Sequence, residues 1–221
     1  MEEDVKTFYN RQYLRHGNRE IVCPHAMHDM AKARRRVQGV LRGFAVDVPP
    51  QAQVLDVGSG LGYYTKAIAD ATLADVVGLD FSEAAIEAGH STFPECRFVC
   101  GAWPQDIPAS PAFDVIWMVN FSLMNTFDIG HIEEHLVDAA MRRLKPGGSL
   151  VIGWNTDFSG RTVGGYSHWS LSMLQNMRER CGLSAPLVTE AGGPLASRLL
   201  IRVARATRRS IPIFMIRRKA R

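Results

Sequence analysis

A chain of 221 residues, 46% hydrophobic and 22% charged, has the size and apolar content of one compact domain, which excludes a second full domain. Its 26 Lys and Arg slightly outnumber 22 Asp and Glu, but residues 198–221 hold nine of the basic residues and no acid, so a mildly acidic body carries a basic tail. No apolar run approaches the roughly eighteen residues of a spanning helix, and no basic start precedes an apolar segment. Cys23, Cys96, Cys100 and Cys181 form no Cys-x-x-Cys pair. Neither a signal peptide nor a zinc or disulfide framework is expected, and a cytoplasmic protein with reduced thiols is the default.

In chain order, residues 1–13 and 26–45 read as helices, the second from Met30, Ala33, Val37, Val40, Leu41 and Phe44 on one face. From Gln53 strand and helix signals alternate: strand 53–57, helix 62–71, strand 76–80, helix 82–90, strands 96–100 and 113–119, helix 131–144, strand 148–154. Ser82 is a natural N-cap, and Lys145-Pro146-Gly147-Gly148 a helix stop. A polar, glycine-rich loop spans 155–167, followed by a helix through Leu171, Leu174 and Met177, strand-like 186–190 and a last strand at 211–216. Such alternation predicts a mainly parallel sheet flanked by helices, with the functional loops at the carboxyl ends of its strands. Between the last two strands, Arg198, Arg202, Arg205 and Arg209 recur every three or four positions with Leu195, Leu199 and Val203 among them. The expectation is a helix with a solvated basic face over a buried apolar stripe; an anionic acceptor, membrane surface or nucleic acid is the alternative.

The run Val54-Leu55-Asp56-Val57-Gly58-Ser59-Gly60-Leu61-Gly62-Tyr63 is a strand that breaks into three close glycines and then a helix. Glycines at alternate positions admit dihedrals closed to other residues and let a flat ligand approach the main chain. A second strand ends in Asp80, about twenty residues on, where a ribose-binding acid belongs in a βαβ unit. Tyr63 stands where the last glycine of the dinucleotide pattern Gly-x-Gly-x-x-Gly would fall, which argues against a dehydrogenase.

Asp56-Val57-Gly58-Ser59-Gly60-Leu61-Gly62 resembles motif I of the class I S-adenosylmethionine-dependent methyltransferases, and Asp80-Phe81-Ser82, Phe113-Asp114-Val115-Ile116 and Leu144-Lys145-Pro146-Gly147-Gly148-Ser149-Leu150 follow in that family's order. The resemblance implies a Rossmann-like, doubly wound α/β fold: a mainly parallel seven-stranded sheet, its last strand antiparallel, with helices on both faces. It implies one domain over 1–221, with a helical lid region at 1–45 and the core at 46–221. The cofactor is then S-adenosyl-L-methionine, leaving S-adenosyl-L-homocysteine as product. Asp56, Gly58, Ser59, Gly60 and Gly62 would hold its methionine and ribose portion, Asp80 the ribose and Phe81 the adenine, with Ala102, Trp103 and Asn120 completing the cofactor site. Relatives often carry an acid where this chain has Gly101-Ala102-Trp103; Asp106 or a backbone carbonyl is the substitute, and Trp103 either stacks on the purine or packs.

A sulfonium carries an activated methyl, so the protein's task is positioning; near-attack geometry is worth about 7–11 kcal/mol and a general base roughly 10²–10⁴-fold. Candidates for the chemistry are His168, as a base after the glycine-rich loop, and Asn120 at the end of the fourth strand. Trp154, Asp157 and Tyr166 are candidate acceptor contacts, with Phe8, Tyr9 and Tyr13 as lid aromatics or packing residues. Val119-Asn120-Phe121-Ser122 lacks the Asn-Pro-Pro-Tyr pattern of exocyclic base methylation and offers no acidic Mg²⁺ ligand. His131-Ile132-Glu133-Glu134-His135 matches a zinc-peptidase pattern, but its histidines fall opposite the buried stripe of a helix and no third ligand identifies itself, so no metal is assigned. The leading reading is methyl transfer to an oxygen, nitrogen or carbon of a small-molecule acceptor. The alternatives are an RNA or protein methyltransferase guided by the basic tail, or a non-catalytic binder of adenosyl ligands.

Overall fold

The computed structural model describes residues 27–110, 112–191 and 193–221. The elements are α1 (Met30–Gly43), β1 (Gln53–Val57), α2 (Tyr63–Thr72), β2 (Asp75–Asp80), α3 (Glu83–Thr92), β3 (Arg97–Cys100), β4 (Phe113–Val119), α4 (Ile129–Ile132), α5 (Ala139–Arg143), β5 (Leu144–Thr156), β6 (Arg161–Val163), β7 (Tyr166–His168), α6 (Leu171–Cys181), α7 (Pro194–Thr207) and β8 (Ile211–Arg218). Six strands make one sheet in the order β3-β2-β1-β4-β5-β8, parallel throughout except for β8, which runs antiparallel to β5. Among the described residues no helix is long and apolar enough to cross a membrane.

The sheet is apolar on both faces because its strands alternate two sets of large side chains. Val115, Trp117 and Val119 of β4 join Val54, Val76, Val151, Phe214 and Ile216 in one core, which α1 covers with Ala33, Val37 and Val40 and α2 with Tyr64, Ala67 and Ile68. Ile116 and Met118 join Leu55, Val57, Leu150, Ile152 and Met215 in the other, covered by Ile132, Leu136 and Ala140 and by Leu174 and Met177 of α6. The period of two within each strand therefore places helices on both faces. Helix α1 belongs to this layer: capped by Asp29, which accepts from the Lys32 amide (2.9 Å), it lies against α2 and the sheet, so residues 30–43 flank the core instead of forming a lid over it.

Four local expectations are corrected. The strand at 186–190 is reduced to a single bridge, Leu187 to Phe214, so the sheet has six strands and not seven. Pro186 has no amide to donate, and Ser184 replaces the next rung by using its own hydroxyl to accept from the Ile216 amide (3.0 Å). The loop at 155–167 contains a hairpin, β6 and β7, turned by Gly164 and Gly165 at φ 58° and 83°. Two consecutive left-handed glycines between Thr162-Val163 and Tyr166-Ser167 are a two-residue hairpin signal that sequence reading passed over. The helix expected at 131–144 begins at Ile129, widens to a π segment at Glu133–Asp138 and ends at Arg143, with Leu144 already in β5. The wider turn brings Val137 into the core beside Leu136. On α7, Ser197, Ile201 and Ala204 are the buried residues, whereas Leu195, Leu199 and Val203 face outward.

One packing point fixes the cofactor side of the sheet. The Phe98 ring fills the space over Gly62, Gly78 and Gly89, and a β-carbon at Gly78 would lie 2.6 Å from that ring and 2.8 Å from the Thr65 hydroxyl. Gly78→Ala is expected to cost about 1–3 kcal/mol by overpacking and to weaken cofactor binding through Thr65. Urea unfolding and calorimetric titration of the variant check both.

Candidate cofactor and acceptor site

The turn after β1 lies at the switch point of the sheet, where the strand order reverses between β1 and β4 and a crevice opens at their carboxyl ends. Gly58, Gly60 and Gly62 all take positive φ (73°, 52° and 81°). The turn is tied to β2 by the amides of Gly58 and Ser59, which donate to the Leu79 carbonyl (2.8 and 3.0 Å). Gly62 caps α2 in the left-handed conformation, and a β-carbon there would sit 2.4 Å from Phe98. Glycine is therefore required by backbone and space together.

Two buried carboxylates stand under this turn. Asp80, at the end of β2, accepts from the Gly60 amide (2.9 Å) through one oxygen and from the Ser82 amide (2.9 Å) through the other. Burial raises its pKa in spite of those bonds. Asp56 is 2% exposed and accepts from the Thr65 hydroxyl at 2.7 Å. Burial above all, with the nearby Asp80 charge, pushes its pKa up to about 7. Ser59, in the turn itself, has a buried hydroxyl with no hydrogen-bond partner. An unsatisfied hydroxyl, a glycine cradle and two desolvated carboxylates suit a polar, partly cationic nucleoside. These residues fit S-adenosylmethionine: Gly58, Ser59, Gly60 and Gly62 to cradle it, Asp80 to accept from ribose hydroxyls, Asp56 to face its ammonium. The chemistry such a ligand supplies when bound is a methyl group activated on a sulfonium.

The residues expected near the adenine separate. Phe81 follows Asp80 directly and is half-buried. Asp106 folds back to accept from the Ala102 amide at 2.7 Å, which sets a carboxylate beside Gly101-Ala102. Trp103 turns away into packing: its indole N–H donates to the His135 carbonyl (3.0 Å), and the Arg143 guanidinium lies 5.1 Å from its ring centre. Of the two roles open to Trp103, stacking or packing, these contacts are packing, and they close the loop against the π segment.

Next to the glycine turn, a cavity opens at the ends of β4 and β5, lined by Asn120, Phe121, Met124, Asn125, Trp154, Asn155, Tyr166 and Ser167. It brings together Asn120, Trp154 and Tyr166 from three separate segments. Phe121 joins the two regions, because its ring also lies 3.0 Å from where a Gly58 β-carbon would be. Asn120, directly after β4, takes φ 56°, a left-handed conformation that asparagine tolerates better than most residues, with its backbone amide donating to the Gly153 carbonyl (2.7 Å). Its side-chain oxygen accepts from Asn155 at 3.3 Å. Trp154 is 4% exposed, and its indole N–H has no partner. Phe121, Met124 and Asn155 were not anticipated as site residues; their signal was adjacency to strand ends at a switch point.

His168 and Asp157 pair behind this wall. Nδ1 of the buried His168 lies 3.1 Å from the Asp157 amide, from which a neutral ring accepts, and 3.3 Å from the Asp157 carboxylate, to which a charged ring donates. Burial opposes ionisation of Asp157, but hydrogen bonding from Ser159 and the charges of His168 and Arg208 outweigh it and hold its pKa below the usual value. Neither residue lines the cavity, so the base expected at His168 has one ring nitrogen engaged in holding the hairpin. Tyr9, Tyr13 and Phe8 lie outside the described residues. His131 and His135 lie with ring centres 4.5 Å apart and tilted by 52° on the solvent side of the helical run, and among the described residues no group of three His, Cys, Asp or Glu is placed to hold a metal ion.

Comparison with known proteins agrees with this geometry. The family profile "Methyltransferase domain" matches residues 54–148, from β1 through the Lys145-Pro146-Gly147-Gly148 turn. No curated protein matches the chain. Among solved structures, an S-adenosylmethionine-dependent methyltransferase from Clostridium acetobutylicum aligns over 100% of this chain and 99% of its own with a TM-score of 0.62 at 11% identity. Geranyl diphosphate C-methyltransferase from Streptomyces coelicolor, solved with S-adenosyl-L-homocysteine, aligns over 86% of this chain and 76% of its own (TM-score 0.60, 15% identity). The [4+2]-cyclase SpnF aligns over 99% and 94% (TM-score 0.61, 15% identity). With the glycine turn, Asp80 and the sheet order in place, residues 54–148 carry a methyltransferase domain, on a fold shared with these S-adenosylmethionine-dependent enzymes.

Proposed function

We propose that this enzyme methylates an oxygen, nitrogen or carbon nucleophile on a small, uncharged acceptor held between Asn120, Trp154 and Tyr166. The observation that carries the reading is the cavity beside the glycine turn, whose described lining is aromatic, thioether or neutral and polar, with no charged side chain. Such a wall suits a molecule with an apolar body and a few hydrogen-bonding atoms, and offers nothing to neutralise a phosphate or carboxylate. The buried Trp154 N–H is a donor awaiting an acceptor atom. Asn120 and Tyr166 orient the nucleophile, and the His168–Asp157 pair holds the hairpin that carries Tyr166 and Ser167. The geranyl diphosphate enzyme acts on a small molecule, by its own description. Cys96, Cys100 and Cys181 form no disulfide among the described residues, which suits a reducing, cytoplasmic setting.

The test is methyl-label transfer from S-adenosylmethionine into three pools offered separately: small metabolites, RNA and protein. Label in the metabolite pool alone is expected, and label in RNA or protein overturns the reading. Likeness to a cyclase is a reason to measure transfer and not binding alone. Cofactor binding with no transfer to any pool would favour a non-catalytic adenosyl-ligand binder. Asn120→Gly relaxes the positive φ while deleting the amide, whereas Asn120→Ala also adds backbone strain of about 1 kcal/mol. Both variants are expected to lose on the order of tenfold or more in kcat/KM for the acceptor with cofactor affinity retained, and only the alanine variant to lose thermal stability. Full activity in Asn120→Gly would remove the side chain from the reaction.

A further inference from the structure

Helix α7 is the least covered helix in the structure: eleven of its 14 residues are exposed, and it reaches the core through Ser197, Ile201 and Ala204 alone. Four of the seven exposed large apolar residues among those described lie on it, Leu195 (81% exposed), Leu199 (62%), Leu200 (38%) and Val203 (50%). At 100° per residue the buried trio occupies one side, Arg198, Arg202 and Arg205 form a row beside it, and Leu195, Leu199, Val203 and Leu200 fill the adjoining arc. The outward surface is thus divided lengthwise into a guanidinium row and an aliphatic stripe.

Leaving four aliphatic side chains in water while the buried positions are a serine, an isoleucine and an alanine inverts ordinary amphipathic design, in which the larger apolar residues face the core. Arg198, Arg202, Arg205 and Arg209 have no acidic partner among the described residues, and 194–221 contains no acid at all. An aliphatic stripe edged by unpaired arginines matches the boundary of an anionic bilayer, with apolar side chains in the upper acyl region and guanidinium groups at the phosphates. A second copy docking on this face would set arginine against arginine. A nucleic acid would use the arginines and leave the stripe in water.

We infer that α7 is a membrane-surface helix that docks the enzyme reversibly on anionic lipid through Leu195, Leu199, Leu200 and Val203 and the arginine row beside them. A stripe of four side chains is shallow, so the attachment is weak and depends on both components. Arg208, its C-cap, lies close enough to Asp157 to act on that carboxylate, so the docked helix ends beside the hairpin that walls the acceptor cavity. The inference does not depend on the acceptor reading, because binding is measured without turnover.

The test is flotation of the full chain with vesicles of phosphatidylcholine alone or mixed with phosphatidylglycerol. Binding to the mixed vesicles, weakened by salt and weak on phosphatidylcholine, is expected. The charge-preserving variant Leu199→Asn/Val203→Asn should bind the mixed vesicles on the order of tenfold or more less tightly. Both positions are exposed, so its melting temperature and S-adenosylhomocysteine affinity should stay those of the parent. Absence of binding to mixed vesicles by the full chain overturns the proposal. So does unchanged binding by the asparagine variant, which would reduce the effect to charge adsorption of the kind RNA would also produce. Retained binding to a single-stranded RNA oligonucleotide with none to vesicles would assign the arginine row to nucleic acid instead.

Discussion

Asp80→Ala should bind S-adenosylhomocysteine at least about 100-fold more weakly than the parent, a loss near 3 kcal/mol. The expected size follows from what the carboxylate does. Its oxygens take backbone amides, Gly60 on one and Ser82 on the other with the Phe81 amide also bonding the group, which fixes the carboxylate while its capacity of about four lone-pair sites leaves room to accept from a ligand. Two charge-assisted hydrogen bonds to a ribose diol, at roughly 1.5–3 kcal/mol each, account for the loss. The variant also leaves the Gly60 and Ser82 amides without their acceptor, which costs stability, while relief of a desolvated charge returns part of it. A fall of a few degrees in melting temperature is therefore expected, and titration is to be done well below it. Undiminished affinity in a folded Asp80→Ala protein would show that the turn binds something other than a ribose.

How far the sequence alone reaches is visible in the contrast between the two halves of the site. The glycine turn and Asp80 depend on local backbone rules: a left-handed φ needs glycine, and a strand ends where its apolar run ends, so residue type and spacing carry the information. The succession of strand and helix signals from Gln53 onward likewise made the mainly parallel sheet flanked by helices legible. The acceptor wall was legible only in part. Asn120, a candidate from the family resemblance, and Trp154 and Tyr166, candidates beside the glycine-rich loop, line one cavity, but Trp103 and His168 were placed by adjacency in sequence, and each is engaged by a contact more than ten residues away. Helix α7 shows the same limit in sharper form. Its periodicity permits either Leu195, Leu199 and Val203 or Ser197, Ile201 and Ala204 to face inward, and the Ser197 hydroxyl, bonded to the Val188 amide and carbonyl, lies on the side that does. Periodicity defines faces, and only the tertiary neighbours decide which one is buried.

Affinity for S-adenosylhomocysteine should fall as pH is lowered through about 7, because Asp56 is the buried group nearest the expected ammonium and its pKa in the free enzyme is raised to about 7. Below that pH the free protein holds a neutral Asp56, and binding a cation beside it requires loss of the proton; above it the carboxylate is already formed. Apparent affinity is thus expected to be level at pH 8 and to drop by up to tenfold per unit below pH 7 until the bound-state pKa is reached. Asp56→Asn should bind more weakly at pH 8 and lose this pH dependence, with the amide oxygen still able to accept from Thr65. Stability carries the opposite sign. A carboxyl whose folded pKa lies above the unfolded value of 3.8 binds more protons folded than unfolded, so Asp56 erodes stability as pH rises from about 4 to about 7. The asparagine variant escapes that erosion, and its stability relative to the parent should increase across the same interval and level off above it. Urea unfolding at pH 5 and pH 8 measures the difference; a variant no more stabilised at pH 8 than at pH 5 would mean that Asp56 is ionised in the free protein and that its charge is already balanced there.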